Sequence, residues 1–404
     1  MHPLTVEAEA PTAVQHVCPV CATPNATALV DILQVPVHCN LLWTTHEDAV
    51  NAPKGDIRLG FCQTCGHVFN MTFDPALMDY TQQYENSLHF SPRFQSYVED
   101  LADQLIARYH LQGKTIIDIG CGKGEFLTLI CERANARGFG FDRSYMPENN
   151  KSANKERVTF IQDFYSERYS NYQADFIACR HVLEHIQHPV AFLRDVRRAV
   201  GDARNSVIFF EVPNVRWTLR DMAVWDIIYE HCAYFSAASL DYLFGLAGFA
   251  PQRIREEFGG QYLTIEALPV DESVAAVAEE WDVRSQMAQD ANLFAMNYQE
   301  KVREWQRAFG DLARSGERAV VWGAGSKGVS LLNTMRDVSG IEFVVDINPR
   351  KHGMHIAGTG QRIVPPEFLR EYQPDVVILM NPMYQSEIQQ LLGALGVYPR
   401  MISA

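Results

Sequence analysis

Two strand–glycine–helix units, far apart in the chain, constrain this 404-residue sequence more than any other feature. The first runs KTIIDIGCGKGEFLTLICERA from Lys114 to Ala134, and the second runs RAVVWGAGSKGVSLLNTM from Arg318 to Met335. In each, a short run of apolar residues reads as a buried strand. The glycines read as a tight turn, and the apolar-periodic stretch that follows reads as a helix. Such a unit brings bare backbone against a ligand at a helix N-terminus. Two of them imply two parallel sheets covered by helices, an α/β architecture, and the chain length fits two or three domains.

Composition narrows the function classes. A 47% hydrophobic and 21% charged chain is ordinary for a globular protein. The net charge of −14 argues against an extended nucleic-acid surface, while leaving room for a local anion pocket. No apolar run approaches the roughly 18 residues of a membrane span. The N-terminal MHPLTVEAEAPTAVQHV has neither the basic start nor the apolar segment of a signal peptide, so no membrane partner and a cytoplasmic location are expected.

Four of the nine cysteines form two knuckles, Cys18-Pro-Val-Cys21 and Cys62-Gln-Thr-Cys65-Gly66. Each knuckle places two thiolates on one turn, and two turns complete a closed tetrahedral site. Soft thiolates select zinc, with rubredoxin-like iron as the second option, and a closed shell marks the site as structural. The remaining cysteines (Cys39, Cys121, Cys131, Cys179, Cys232) are scattered.

The first glycine unit has company. Asp118 precedes Gly120, Gly122 and Gly124. The next strand, GFGFD, ends in Asp142, where a carboxylate can accept both ribose hydroxyls. A third strand, RVTFIQ, ends at Asp163, placed for an adenine amino group. On these residues the sequence resembles the class I S-adenosylmethionine methyltransferases. The resemblance implies S-adenosylmethionine as cofactor, with Asp118, Gly120, Gly122, Gly124, Asp142 and Asp163 holding it. An NAD-type loop is the alternative.

Methyl transfer needs an aligned acceptor and, for a poor nucleophile, a base. Two clusters offer one: His181-Val-Leu-Glu184-His185, which also suits an ordinary helix after the fourth strand, and Tyr229-Glu230-His231, which follows FFEVPN. With the cysteine knuckles and the second glycine unit, these residues resemble the sugar C-methyltransferases over about residues 15–400. That family joins a zinc-binding N-terminal domain, a class I Rossmann-like core and a second Rossmann-like C-terminal domain. It acts on nucleotide-linked keto-deoxysugars. The domains expected here are 1–80 (zinc-binding), 81–271 (methyltransferase core), 272–315 (helical connector) and 316–404 (C-terminal Rossmann-like).

The resemblance carries roles to Tyr84, His185, Tyr229, Glu230 and His231. His231 would take a proton from the carbon beside the sugar ketone. Tyr229 or His185 would stabilise the enolate oxygen, and Glu230 would orient the histidine or meet a sugar hydroxyl. The family's Tyr-His-Glu-His stretch is one residue shorter here, and its Gly-Gly-Ser loop reads Gly259-Gly260-Gln261, with Gly260 and Gln261 on the substrate side. O- or N-methylation of a sugar or other small metabolite would use the same bases. A non-catalytic nucleotide-binding scaffold is the alternative of another class.

Between the two glycine units, Trp281, Met287, Phe294, Tyr298, Trp305 and Phe309 recur at helical intervals, the pattern of a packing stripe. In the second unit, Gly323, Gly325 and Gly328 with Asp346 fit the NAD fingerprint in form. About ninety residues are too few for a full dinucleotide fold with a catalytic domain of its own. The resemblance implies instead that this domain grips the nucleotide part of the substrate, with Lys327 against a phosphate; a purely structural role is the third option.

Overall fold

The computed structural model describes residues 16–78, 84–146, 157–271, 281–335 and 338–404, and the side chains of 281–284 lie outside the description. Parts of the expected first domain (1–15, 79–80) and connector (272–280) therefore lie outside the described residues, as does the side chain of Trp281. Among the described residues no helix is long and apolar enough to cross a membrane.

Three sheets form. The first is antiparallel: β1 (Ala26–Pro36), β2 (Lys54–Cys62) and β3 (Val68–Asn70) pair in order, and the two-residue strand Ala233–Tyr234 closes the edge. The second holds β4 (Thr115–Ile119), β5 (Arg137–Phe141), β6 (Val158–Ile161), β7 (Phe176–Arg180) and β8 (Val207–Pro213) in parallel. With Ala233–Tyr234 as β9, the later strands β10 (Phe249–Glu257) and β11 (Tyr262–Pro269) form an antiparallel hairpin that joins beside β8. The order β10-β11-β8-β7-β4-β5-β6 is the α/β Rossmann-like core expected from the first glycine unit. β4 is buried along almost its whole length, which is why TIIDI carries only one polar side chain beyond its first residue.

The third sheet is wholly parallel: β12 (Ala319–Trp322), β13 (Ile341–Val345), β14 (Arg362–Val364), β15 (Val376–Leu379) and β16 (Arg400–Ser403), ordered β14-β13-β12-β15-β16. It is the second Rossmann-like unit, and it stops at five strands.

Helix Trp281–Ser315 lies between the outer sheets. Met287, Ala291, Phe294, Tyr298, Val302, Trp305, Phe309 and Leu312 step by three or four residues and are all buried, as the packing stripe required. They share one core with residues of β1, β2, β12 and β13. The expected boundaries at 80 and 316 therefore do not divide the core. A second core joins Cys18, Cys62, Cys65 and Phe69 to the middle sheet.

Candidate active site

In open parallel sheets, ligands sit beyond the carboxyl ends of the strands where the strand order reverses. In the middle sheet that point lies between β4 and β7, and in the third between β12 and β15. Both points open onto one cavity of about 890 Å³. Its wall includes Gly120, Gly122, Arg180 and His181 from one sheet, and Gly323, Gly325, Met380 and Asn381 from the other.

The two glycine loops are built alike. Gly120 has φ +68, and a Cβ there would lie 2.3 Å from Val182 Cγ2, so both conformation and space demand glycine. The Gly122 amide donates to Asp142 Oδ2 at 2.8 Å, while Asp142 Oδ1 accepts from the Ser144 amide at 2.7 Å. In the second loop a Cβ on Gly328 would lie 2.1 Å from the Gly323 carbonyl oxygen. The Ala324 amide donates to Asp346 Oδ2 at 2.8 Å, and Asp346 Oδ1 accepts from the Asn348 amide at 2.8 Å. In each unit the acid after the second strand holds the turn after the first. A carboxylate has about four lone-pair positions, so both acids retain capacity toward the cavity they line.

Asp118 is buried on the cavity wall, and burial pushes its carboxyl up to about 7, against the pull of Arg180. An acid of this kind fits a cationic ligand. The groups around the first loop thus suit S-adenosylmethionine, with Asp118 and Asp142 on the cavity wall. Asp163 departs from expectation. Its carboxylate accepts from Tyr169 Oη at 2.6 Å and pairs with Arg168, away from the cavity wall, to which its neighbours Phe164 and Tyr165 belong instead. A residue just past a strand end can turn either way, and these local donors decide it.

Below the first loop lies a buried charge network. Glu211, at the end of β8, accepts from Tyr97 Oη at 2.8 Å and Arg180 Nη2 at 3.0 Å. His181 Nε2 lies 2.6 Å from Glu211 Oε1, and its Nδ1 lies 3.6 Å from Glu184. Burial alone would raise Glu211, yet Arg180 and His181 hold it down to about 2. Burial alone would lower His181, but Glu211 and Glu184 raise it to about 9. His181 also adopts φ +55, an uncommon conformation for a side chain of its size. It lines the cavity beside Glu211 and Glu184. Glu184 was part of the first candidate cluster, whereas Arg180, Glu211 and Tyr97 were not singled out from the sequence. Their only signal was a charged residue closing each of two otherwise apolar strands, FIACR and VIFFEVP.

His185 and His231 face each other across the cavity wall, with ring centroids 5.0 Å apart at 76°. His185 Nδ1 donates to the Glu230 carbonyl at 2.9 Å, which leaves Nε2 as the basic nitrogen. Burial, reinforced by His185, pushes His231 down to about 3, so it is neutral with a lone pair available. Tyr234 Oη clamps the loop before it, accepting from the Ile228 amide and donating to the Ile228 carbonyl, both at 3.1 Å.

Tyr229 and Glu230 do not join them. The Tyr229 hydroxyl accepts from the Asp74 amide at 2.9 Å and donates to its carbonyl at 3.3 Å, and its ring covers Gly55 in the first core. The expected oxyanion role of Tyr229 is therefore corrected: it is a packing residue. Glu230 is fully buried and accepts from the Cys39 amide and from Tyr84 Oη. It is not on the cavity wall, whereas Tyr84 is. Glu230 therefore meets Tyr84 and does not reach the cavity directly. The chain turns at Tyr229–Glu230, so residues 228 and 231 face the cavity and 229 and 230 face the first sheet.

On the far wall, Lys327 Nζ lies 2.9 Å from Asp226 and 4.6 Å above the Trp217 ring. Gln261 and Asn381 exchange two amide hydrogen bonds of 2.9 and 3.1 Å, joining the middle and third sheets. Gln261 lines the cavity; Gly260 does not, and its carbonyl accepts from Asn214.

The four knuckle cysteines converge at the edge of the first sheet, with their sulfurs within 4.8 Å of one another. Cys18 and Cys65 sulfurs are 3.6 Å apart and Cys21 and Cys62 3.4 Å, all four free thiols. This donor set fits a thiolate-bound structural ion. Glu184, His185 and His231 form the other cluster with ligating atoms this close among the described residues. There His185 already donates to Glu230 and Glu184 sits beside His181, so these groups have protein partners.

Comparison with known families gives two matches in series. Residues 94–253 match the methyltransferase domain family, and residues 264–395 match the C-methyltransferase C-terminal domain family. No curated protein sequence matched the chain. Among solved structures, the magnesium protoporphyrin IX methyltransferase of Synechocystis PCC 6803 with bound S-adenosylhomocysteine is 18% identical, with 44% of this chain and 84% of that chain covered at a TM-score of 0.35. The N,N-8-amino-8-demethyl-D-riboflavin dimethyltransferase of Streptomyces davawensis is 22% identical over 44% and 54%, also at 0.35. The 1,6-didemethyltoxoflavin-N1-methyltransferase of Burkholderia thailandensis is 16% identical over 51% and 96%, again at 0.35. The two matched domains meet at the cavity described above, and the chain is an S-adenosylmethionine-dependent methyltransferase that ends in a C-methyltransferase C-terminal domain.

Proposed function

We propose that the enzyme methylates the carbon beside the ketone of a nucleotide-linked sugar, by way of an enolate. The observation that carries this reading is the single cavity onto which both glycine loops open, with His185 and His231 on its wall. One loop suits the methyl donor. The other, with Lys327 and the amides around Gly325, suits the phosphates of a substrate handle.

S-adenosylmethionine supplies an electrophilic methyl group on a sulfonium. The chain supplies the rest. His231, on the cavity wall, accepts the proton from the carbon beside the ketone. The C–H electron pair moves onto the ketone oxygen, facing a cavity wall that includes His185 and Tyr84; the Tyr84 hydroxyl itself donates to Glu230. The enolate carbon then takes the methyl group, the carbon–sulfur bond breaks onto sulfur, and the His231 proton passes to solvent. Glu184, close to both histidines, favours the imidazolium that forms.

Incubating a nucleotide-linked 4-keto sugar with the enzyme in heavy water, without methyl donor, tests this. Deuterium should enter the carbon beside the ketone, and His231→Ala should abolish both exchange and turnover while S-adenosylhomocysteine still binds. Methylation without any exchange would point to an oxygen or nitrogen acceptor and sink the enolate.

A further inference from the structure

Glu85 stands behind the cavity wall, yet it ties the two glycine loops together. Its side chain is 5% exposed. Oε2 pairs with Lys123 of the first loop and accepts from Arg350 Nη1 at 3.2 Å. Oε1 accepts from Asn348 Nδ2 at 3.1 Å and from the Ser87 amide at 3.2 Å. Lys123 sits between Gly122 and Gly124. Asn348 belongs to the turn whose amide binds Asp346, the acid that holds the second loop. An unbroken set of contacts therefore runs from one loop through Lys123, Glu85, Asn348 and Asp346 to the other. Lys123 and Asn348 both line the cavity.

We propose that Glu85 is a positioning residue that couples the loops, so that a ligand in the first raises affinity for a nucleoside diphosphate in the second, and the reverse. This rests on the two-ligand reading above. The physical reason is the cost of a buried charge. Burial disfavours the carboxylate, and Lys123 and Asn348 outweigh it. A shift of either loop would take donors away from a buried anion, at a cost larger than that of a surface pair. Ordering one loop therefore orders the other, and thermodynamic linkage makes the effect equal in both directions.

The test is calorimetric titration of S-adenosylhomocysteine with and without saturating uridine or thymidine diphosphate. In the native enzyme the diphosphate should tighten binding by roughly fivefold or more. Glu85→Gln keeps the shape and one acceptor but removes the charge. The ratio should fall to near unity while each ligand alone still binds. Arg350→Met removes only the partly exposed arm and should lower the ratio as well; it decides the matter if Glu85→Gln does not fold. Native-like coupling in these variants would overturn the proposal, as would two ligands that bind the native enzyme independently. Failure of either diphosphate to bind the native enzyme would instead overturn the two-ligand reading, and the coupling with it.

Discussion

Asp118 concentrates the residue-scale argument. Burial raises its carboxyl to about 7, so it is ionised above that pH and protonated below. A sulfonium ligand favours the ionised form. S-adenosylmethionine affinity should then be flat above pH 7 and fall about tenfold per unit below it. Asp118→Asn should weaken binding at pH 8 and flatten the profile, as measured by calorimetry from pH 5.5 to 8. A native profile with no break would remove Asp118 from the cofactor site. The residues whose place on the cavity wall was legible in the sequence were those that a strand end delivers: Asp118, Asp142, and the histidines after β7. Those misjudged sit in turns. Tyr229 and Glu230 face the first sheet because the chain reverses there, and no period of two or 3.6 reports that. Arg180, Glu211 and Tyr97 find one another across sequence separations that local patterning does not register.

The element of most consequence is the short strand β9. It begins two residues after His231 and pairs with β3, with Val68 opposite Tyr234 and Phe69 opposite Ala233. The Asn70 amide donates to the Cys232 carbonyl at 3.0 Å. β3 in turn begins just past Cys65, and the His67 ring stacks on Phe69 and meets Phe235 at a tilt. The cysteine knuckles thus brace the segment that carries the proposed base. Chelation should release about one ion per chain. It should also speed hydrogen exchange at residues 62–70 and 228–235, leaving β4 and β5 protected. Unchanged exchange at 228–235 would show that the knuckles hold only their own sheet. The knuckles were plain from spacing alone; their pairing with a strand so distant in sequence was not, because a two-residue strand leaves no pattern.

At the scale of the molecule, the two parallel sheets meet at their switch points, and the cavity between them is the central result. The sequence announced both glycine units but left the second ambiguous among NAD binding, substrate anchoring and pure structure. Position reduces that ambiguity, since its loop faces the same space as His185 and His231. Domain edges were harder to read, because helix Trp281–Ser315 fuses the first and third sheets into one core. The most direct test is a crystal structure of the enzyme with S-adenosylhomocysteine and a nucleoside diphosphate bound together. It should show the sulfur compound at Asp118 and Asp142, the diphosphate at Gly325 and Lys327, and His231 facing the gap between them. A diphosphate bound outside this cavity, or a second loop buried against protein with no ligand, would contradict it.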